Sequence, residues 1–165
     1  MHRIILNDIG PVLEAKGLAR IRGYVGKLPK PRSWDDAVDM SKHIMSAHFS
    51  GLSNEEWVSY AKLTFEEKNG VFATRYDPKL SNVLSGIDLT IALPSAWPQF
   101  NALSSVPILA IRGENSDLLS AETLLQMQSA HPACEAFVVP GQGHAPLLLD
   151  ETTRARIVRF IAEGD

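Results

Sequence analysis

The chain has 165 residues, of which 45% are hydrophobic and 21% are charged, a composition that predicts a soluble globular domain with a substantial core. A formal net charge of −3 provides no basic excess to neutralise phosphates, which argues against a nucleic-acid partner. No apolar run approaches the ~20 residues needed to cross a bilayer, and the single cysteine, Cys134, excludes an intramolecular disulfide and a cysteine-rich zinc site. We therefore expect no membrane partner, no metal and no cofactor.

The first predicted element is a short strand over residues 3–6, Arg-Ile-Ile-Leu, which Asn7-Asp8-Ile9-Gly10-Pro11 ends. The apolar run is too short for a signal peptide, so a cytoplasmic protein is expected. A strand that is apolar throughout suits the interior of a parallel sheet, where both faces are covered. At the start of this chain it would lie at the edge of the sheet, and something should cover that edge.

A helical pattern follows. Ser33 is placed to cap a helix that begins at Trp34, and Ser53 with Glu56 fits a capping box for a second helix. Asn69-Gly70 is expected to end that second helix. No clear strand is predicted in this part of the chain.

The period changes again in the last third, which predicts two strands, each followed by a helix. The four segments are a strand at 106–111, a helix at 121–130 capped by Ser120, a strand at 136–139 and a final helix led by Thr152 or Thr153. The alternation of strand and helix favours parallel strands joined by crossovers. We therefore predict an α/β core formed by residues 1–32 and 102–165, with residues 33–101 inserted as a helical cap.

Two polar loops follow the last two predicted strands. Asp117 lies in the loop Arg-Gly-Glu-Asn-Ser-Asp, and His144 lies in the loop Pro-Gly-Gln-Gly-His-Ala-Pro. Functional groups of an open parallel sheet sit beyond the carboxyl ends of its strands, so these two side chains could meet. A carboxylate beside an imidazole fixes the tautomer of the ring and stabilises the imidazolium during proton transfer.

Three segments give the chain a resemblance to a known family. PILAIRGENSDLLS resembles the penultimate strand and acid loop of the α/β-hydrolases, VVPGQGHAPLLLD resembles their last strand and histidine loop, and ILNDIGP resembles the strand and loop after their nucleophile helix. The order of the segments matches the C-terminal half of a family member. The resemblance implies the C-terminal part of an α/β-hydrolase fold, with a short parallel sheet of about three strands, flanking helices and a helical cap.

The resemblance also implies roles for the polar residues. Asp117 would be the acid of a catalytic triad and His144 its general base, with Glu114 a weaker competitor for the acid position. Asp8 follows an earlier strand, where some relatives place the acid, so it is an alternate acid or a structural turn residue.

The nucleophile that the family needs is absent from the sequence. Members carry it in a Gly-x-Ser-x-Gly turn between a strand and a helix, and the 165 residues contain no such motif. Loss of a triad nucleophile typically lowers kcat by about a million-fold. We expect a C-terminal fragment of an ester, lactone, thioester or C–C bond hydrolase that is inactive alone and takes a small-molecule substrate only when a nucleophile-bearing half completes it.

A second hypothesis is a non-catalytic interaction module derived from a hydrolase. The uncovered edge of strand 3–6 could pair with another chain, because exposed strand edges template such pairing. We therefore expect a homo-oligomer, joined through the N-terminal strand or through exchange of cap helices.

Overall fold

The computed structural model describes residues 2–163. Its strands are β1 (Ile4–Asn7), β2 (Phe65–Lys68), β3 (Val71–Thr74), β4 (Ile108–Gly113) and β5 (Cys134–Val139). Its helices are α1 (Ala15–Tyr24), α2 (Trp34–Met45), α3 (Asn54–Thr64), α4 (Leu80–Ser85), α5 (Trp97–Asn101), α6 (Ala121–Ala130) and α7 (Glu151–Ala162).

The main sheet has three parallel strands in the order β1-β4-β5, which confirms the predicted fold class. The register pairs Ile4 with Ile108, and Ile108 with Cys134. The central strand is covered on both faces, since Ile108 to Ile111 are all 0% exposed. Parallel strands that are covered on both faces are apolar throughout, as this one is.

The side chains of β4 alternate between two hydrophobic clusters, one on each face of the sheet. Ile108 and Ala110 pack with residues of α5, α6 and the loop before α6, whereas Leu109 and Ile111 pack with Val139 and with Phe160 of α7. The period of two follows from strand geometry. The sheet therefore lies as a middle layer with helices on either side.

The outer edge of β1 carries unused hydrogen-bonding groups. Ile4 N–H donates to Pro107 O and Asp8 N–H donates to Ile111 O, so the even-numbered residues of this strand face β4. The main-chain groups of Ile5 and Asn7 consequently point the other way. No strand between residues 2 and 163 pairs with this edge, which leaves an open row of donors and acceptors.

Helices α2 and α3 begin as the sequence predicts. Ser33 Oγ accepts a hydrogen bond from Asp36 N–H, and Ser53 and Glu56 form a complete capping box. The two helices pack together through Ala37, Ala61 and neighbouring apolar side chains. Leu147, from the loop after β5, packs against the same helical layer. The division of the chain into cap and core stays a prediction.

The region between residues 65 and 74 differs from the prediction. Helix α3 ends at Thr64, and Asn69-Gly70 forms the turn of an antiparallel hairpin between β2 and β3 instead of a helix end. Both turn residues have positive φ, 53° and 76°, as a two-residue type I′ hairpin turn requires. The expectation that this block contains no strand was therefore wrong, because Asn-Gly suits a hairpin as well as a helix end.

The prediction also missed one helix and misplaced the N-terminal cap of another. The sequence pattern missed α1, which contains Gly17 and Gly23, residues that lower helix propensity. A Cβ atom at Gly17 would lie 2.6 Å from Asp117 O, so the glycine permits close packing against the loop after β4. The final helix is capped by Asp150 rather than Thr152 or Thr153.

Within residues 2–163, no helix combines the length and apolar character needed to cross a membrane.

The cluster on the α7 face predicts a clear stability difference between two positions of one helix. Phe160 is 0% exposed, whereas Val158 is 64% exposed. We expect Phe160→Ala to lower the free energy of unfolding by about 3–5 kcal/mol, because it removes buried surface and leaves a cavity. The matched control Val158→Ala should change it by less than about 0.5 kcal/mol. Urea titration followed by circular dichroism measures both, and equal effects would contradict this packing.

Candidate active site

Asp8 ends β1 and turns its side chain into the protein. The residue has a φ of 57°, in the left-handed region that aspartate tolerates better than most residues. Its N–H donates to Ile111 O at 2.7 Å, which ties the turn to β4. The residue is 0% exposed, so its carboxylate must find its hydrogen bonds within the protein.

Three donors meet the Asp8 carboxylate. Gly113 N–H donates to Oδ1 at 2.7 Å, and Ser116 Oγ–H donates to Oδ2 at 2.6 Å. The third is His144, whose Nδ1 lies 2.8 Å from Oδ2. An ionised carboxylate only accepts hydrogen bonds, so this set of donors matches a charged Asp8.

The orientation of the His144 ring follows from this contact. With Nδ1–H donating to Asp8, the neutral ring carries its lone pair on Nε2. The side chain is 21% exposed, whereas that of Asp8 is 0% exposed. The pair therefore joins a fully enclosed carboxylate to a partly exposed imidazole whose Nε2 is left free of Asp8, an arrangement with which a carboxylate can stabilise an imidazolium.

The loop after β4 braces the loop that carries His144. Gly141 N–H donates to Glu114 Oε2 at 2.7 Å, and Asn115 N–H donates to Gln142 O at 2.9 Å. A Cβ atom on Gly113 would collide with the carbonyl oxygens of Gln142 and Gly143. Glycine at position 113 is thus required for the close approach of the two loops.

Asp117, the expected acid, lies elsewhere. Its two carboxylate oxygens accept hydrogen bonds from Arg20 of α1, Oδ2 from Nε at 2.7 Å and Oδ1 from Nη2 at 2.8 Å. The expected contact between Asp117 and His144 is therefore corrected: the structure brings His144 to Asp8. The sequence pattern placed Asp117 in the loop after β4, where the structure has it. It could not show that Arg20 binds the carboxylate of Asp117.

The charge of Asp117 is stabilised by this bidentate pair. Burial alone would raise the pKa of Asp117, but the hydrogen bonds and positive charge of Arg20 outweigh it and hold that pKa below its usual value. Burial works against the charged form of Arg20 as well, yet the Asp117 carboxylate raises the pKa of the guanidinium. The pair anchors α1 to the loop after β4.

A cavity of about 300 Å³ lies between the helical layer and the loop that carries His144. Ala145 and Leu147 of that loop form one wall, and the lining elsewhere is mainly apolar, with Ile44, Met45 and Phe65 among its members. Small-molecule sites are usually such apolar cavities with a few polar groups.

Three of the polar groups are phenols, those of Tyr24, Tyr60 and Tyr76, and the pKa values of the first two are shifted. Burial raises the pKa of both of these side chains. Each of the two phenols therefore stays protonated at neutral pH and can donate a hydrogen bond to a bound molecule.

Between residues 2 and 163, no group of three or more His, Cys, Asp or Glu side chains is placed to hold a metal ion. His48 packs against Gly143, and burial lowers the pKa of its ring. His131 is 2% exposed and lies between Leu103 O and the N–H of Ala133. Both contacts fit structural roles for these histidines.

Comparisons with known proteins agree with the fold. The crystal structure of an α/β-hydrolase from Novosphingobium aromaticivorans DSM 12444 matches 97% of this chain with a TM-score of 0.85 and 33% identity. The part of the fold that this chain forms is therefore that of an α/β-hydrolase. The structure of E-2-(acetamidomethylene)succinate hydrolase shows the same fold over 97% of this chain, with a TM-score of 0.68 and 19% identity.

A curated relative is 29% identical over an alignment of 167 residues that covers 97% of this chain. That relative is the 3-hydroxybutyrate-oligomer hydrolase of Cupriavidus necator. The chain spans 56% of the length of that relative and 56% of the Novosphingobium protein. No family model matches the sequence.

Sequence reasoning missed two residues of the site. Arg20 lies on the helix that was not predicted, and its partner could not be identified without the packing of α1. Ser116 belongs to the loop after β4, where nothing in the sequence distinguishes it from a turn residue. The position of Asp8 directly after the first apolar strand was the available signal for its contact with His144.

The Arg20–Asp117 pair predicts a stability that depends on pH. A carboxyl group whose pKa is lower in the folded protein contributes stability above its unfolded pKa of about 3.9 and loses it as the pH falls through the folded value. We expect Asp117→Asn to cost roughly 1–3 kcal/mol at neutral pH and little near pH 2. Urea titrations at both pH values measure this, with the exposed Asp39→Asn as control. A cost that stays the same at low pH would contradict the role of the ion pair.

Proposed function

We propose that Asp8 and His144 are the acid and general base of an ester hydrolase whose nucleophile comes from outside these 165 residues. The observation that carries the proposal is the 2.8 Å contact between His144 Nδ1 and the fully buried carboxylate of Asp8. Asp8, the alternate acid of the sequence analysis, takes the acid role in place of Asp117.

The geometry supports a defined path for the proton. His144 Nε2 takes the proton of a nucleophilic hydroxyl as its oxygen attacks the ester carbonyl carbon, and the negative charge of Asp8 stabilises the imidazolium. The same nitrogen then gives that proton to the departing alkoxide. Water repeats the sequence on the acyl intermediate, releasing the acid and restoring the nucleophile.

Ser116 does not supply this nucleophile. Its hydroxyl contacts Asp8 Oδ2, on the Nδ1 side of the His144 ring. A nucleophile must instead approach Nε2. The outer edge of β1 offers main-chain groups to which a strand of the completing half could add, and such a strand would precede the nucleophile turn in the family.

The cavity supports an ester with a short acyl chain. Its apolar lining suits hydrocarbon, and the phenols of Tyr24 and Tyr60 could donate to a hydroxyl or carbonyl on that chain. The curated relative is named for the hydrolysis of 3-hydroxybutyrate oligomers. We therefore propose short hydroxyacyl esters as the substrate class.

A complementation assay tests the catalytic roles. The chain is co-expressed with the part of the Novosphingobium hydrolase that it does not cover, and hydrolysis of p-nitrophenyl butyrate and of 3-hydroxybutyrate dimer is measured. We expect turnover from the pair and none above background from the 165-residue chain alone. Because His144 moves the proton and Asp8 stabilises it, His144→Ala and Asp8→Asn should each lower kcat by at least about 1,000-fold.

Asp117→Asn is the matched control, since it makes the same chemical change in the carboxylate that contacts Arg20. It should retain kcat within about tenfold, because Asp117 does not contact His144. Loss of activity in Asp117→Asn together with retention in Asp8→Asn would overturn the assignment of the acid.

A non-catalytic oligomer is the second candidate, favoured by the open edge of β1. A second copy of the chain could pair with the outward main-chain groups of Ile5 and Asn7 and so form a homo-oligomer. The DNA before the Met1 codon helps to separate the two candidates. An in-frame Gly-x-Ser-x-Gly segment favours the hydrolase, and a stop codon without one favours the oligomer.

The oligomer hypothesis predicts a dimer or larger species by light scattering and its loss in Ile5→Pro. Proline removes an outward N–H without removing a hydrogen bond to β4, a change that edge strands tolerate. Ile5→Ala is the control for the lost side chain and should remain associated. A monodisperse monomer for the unmodified chain would exclude this candidate.

A further inference from the structure

Ser116 makes a contact with Asp8 that the acid–base pair alone does not explain. The 2.6 Å hydrogen bond from its hydroxyl ends on Oδ2, the same oxygen that faces His144 Nδ1. Gly113 N–H holds the other oxygen. The end of β4 and the loop after it thus engage both oxygens of the carboxylate, which leaves the group little freedom to rotate.

The direction of the Ser116 hydroxyl is set by the main chain. Its oxygen accepts hydrogen bonds from the N–H groups of Leu118 at 3.2 Å and Leu119 at 3.1 Å. A hydroxyl has one proton and two acceptor lone pairs. Because two N–H donors occupy the acceptor side, the proton of Ser116 is left to point at Asp8.

The loop that presents Ser116 is itself anchored. The next residue, Asp117, is held by Arg20 through two hydrogen bonds. A Cβ atom on Gly17 would lie only 2.7 Å from the Cα atom of Leu118, so α1 packs directly on this turn. The contacts form a continuous series from α1 through Asp117 and Ser116 to the acid.

We propose that Ser116 is a positioning residue that holds the Asp8 carboxylate turned toward His144, a role that rests on the proposed function of that pair. In this arrangement, the Arg20–Asp117 ion pair fixes the turn from which Ser116 acts. Without the hydroxyl, one donor to the buried carboxylate is lost. The carboxylate then rotates more freely and holds Nδ1–H less firmly.

The test measures the ring of His144 directly, in the full 165-residue chain and without any substrate. Nitrogen-15 NMR at a pH where the ring is neutral gives the ratio of the Nδ1–H form to the Nε2–H form. We expect Nδ1–H to predominate in the unmodified chain. Loss of a hydrogen bond to a charged group should lower that ratio by about tenfold in Ser116→Ala, and Ser116→Thr, which keeps a hydroxyl, should restore it.

Ser120→Ala provides the matched control. Ser120 Oγ also accepts a hydrogen bond from a main-chain N–H, that of Thr123 at 3.1 Å, but it caps α6 and makes no contact with Asp8. This variant should lower stability as the loss of a cap does, and it should leave the His144 ratio unchanged.

If Ser116 only stabilises its loop, Ser116→Ala and Ser120→Ala will both lose stability and keep the unmodified ratio, and the proposal fails. Should Ser116→Ala not fold, Ser116→Cys replaces it, because the thiol is a weaker donor of similar shape, and the same fall in ratio is expected. The ring measurement does not depend on turnover. A failed complementation assay with a lowered ratio therefore counts against the proposed function, and an active pair with an unchanged ratio counts against the role of Ser116.

Discussion

The Asp8 carboxylate is sealed from water, and the surrounding structure supplies the hydrogen bonds that water would otherwise provide. A buried charge without partners is very costly, so the backbone and side chains that meet this group cannot be arranged freely. Gly113 at the end of β4, Ser116 in the loop after it and His144 in the loop after β5 are all distant in sequence from β1. Their convergence on one carboxylate fixes how the loops after β4 and β5 sit above the sheet.

The parallel sheet makes this convergence possible. Strands β1, β4 and β5 run in the same direction, so their carboxyl ends meet at one edge. The apolar central strand packs on both faces and gives the loops a rigid base. Glycine at position 113 then lets the loop after β4 approach the main chain of the histidine loop.

The two aspartates show how neighbouring elements assign different roles to the same side chain. Asp117 faces α1 and is neutralised by Arg20, which makes it an anchor for its loop. Asp8 faces the ring of His144 and is surrounded by neutral donors and that imidazole. A carboxylate already held by a guanidinium is poorly placed to stabilise an imidazolium, whereas Asp8 suits that proposed task.

The sequence by itself determined the three parallel strands, the caps of α2, α3 and α6, and the position of His144, because these follow from local periodicity and from side chains that bond to nearby main chain. The sequence did not predict the hairpin at Asn69-Gly70, because this dipeptide occurs both in hairpin turns and at helix ends. It did not predict α1 either, because glycine weakens a helical pattern. Only the tertiary structure shows which aspartate, Asp8 or Asp117, contacts His144. The choice depended on Arg20, 97 residues away from Asp117 in the chain, and on the left-handed turn that points Asp8 at His144. Local sequence patterns carry no information about such contacts, because packing of distant segments creates them.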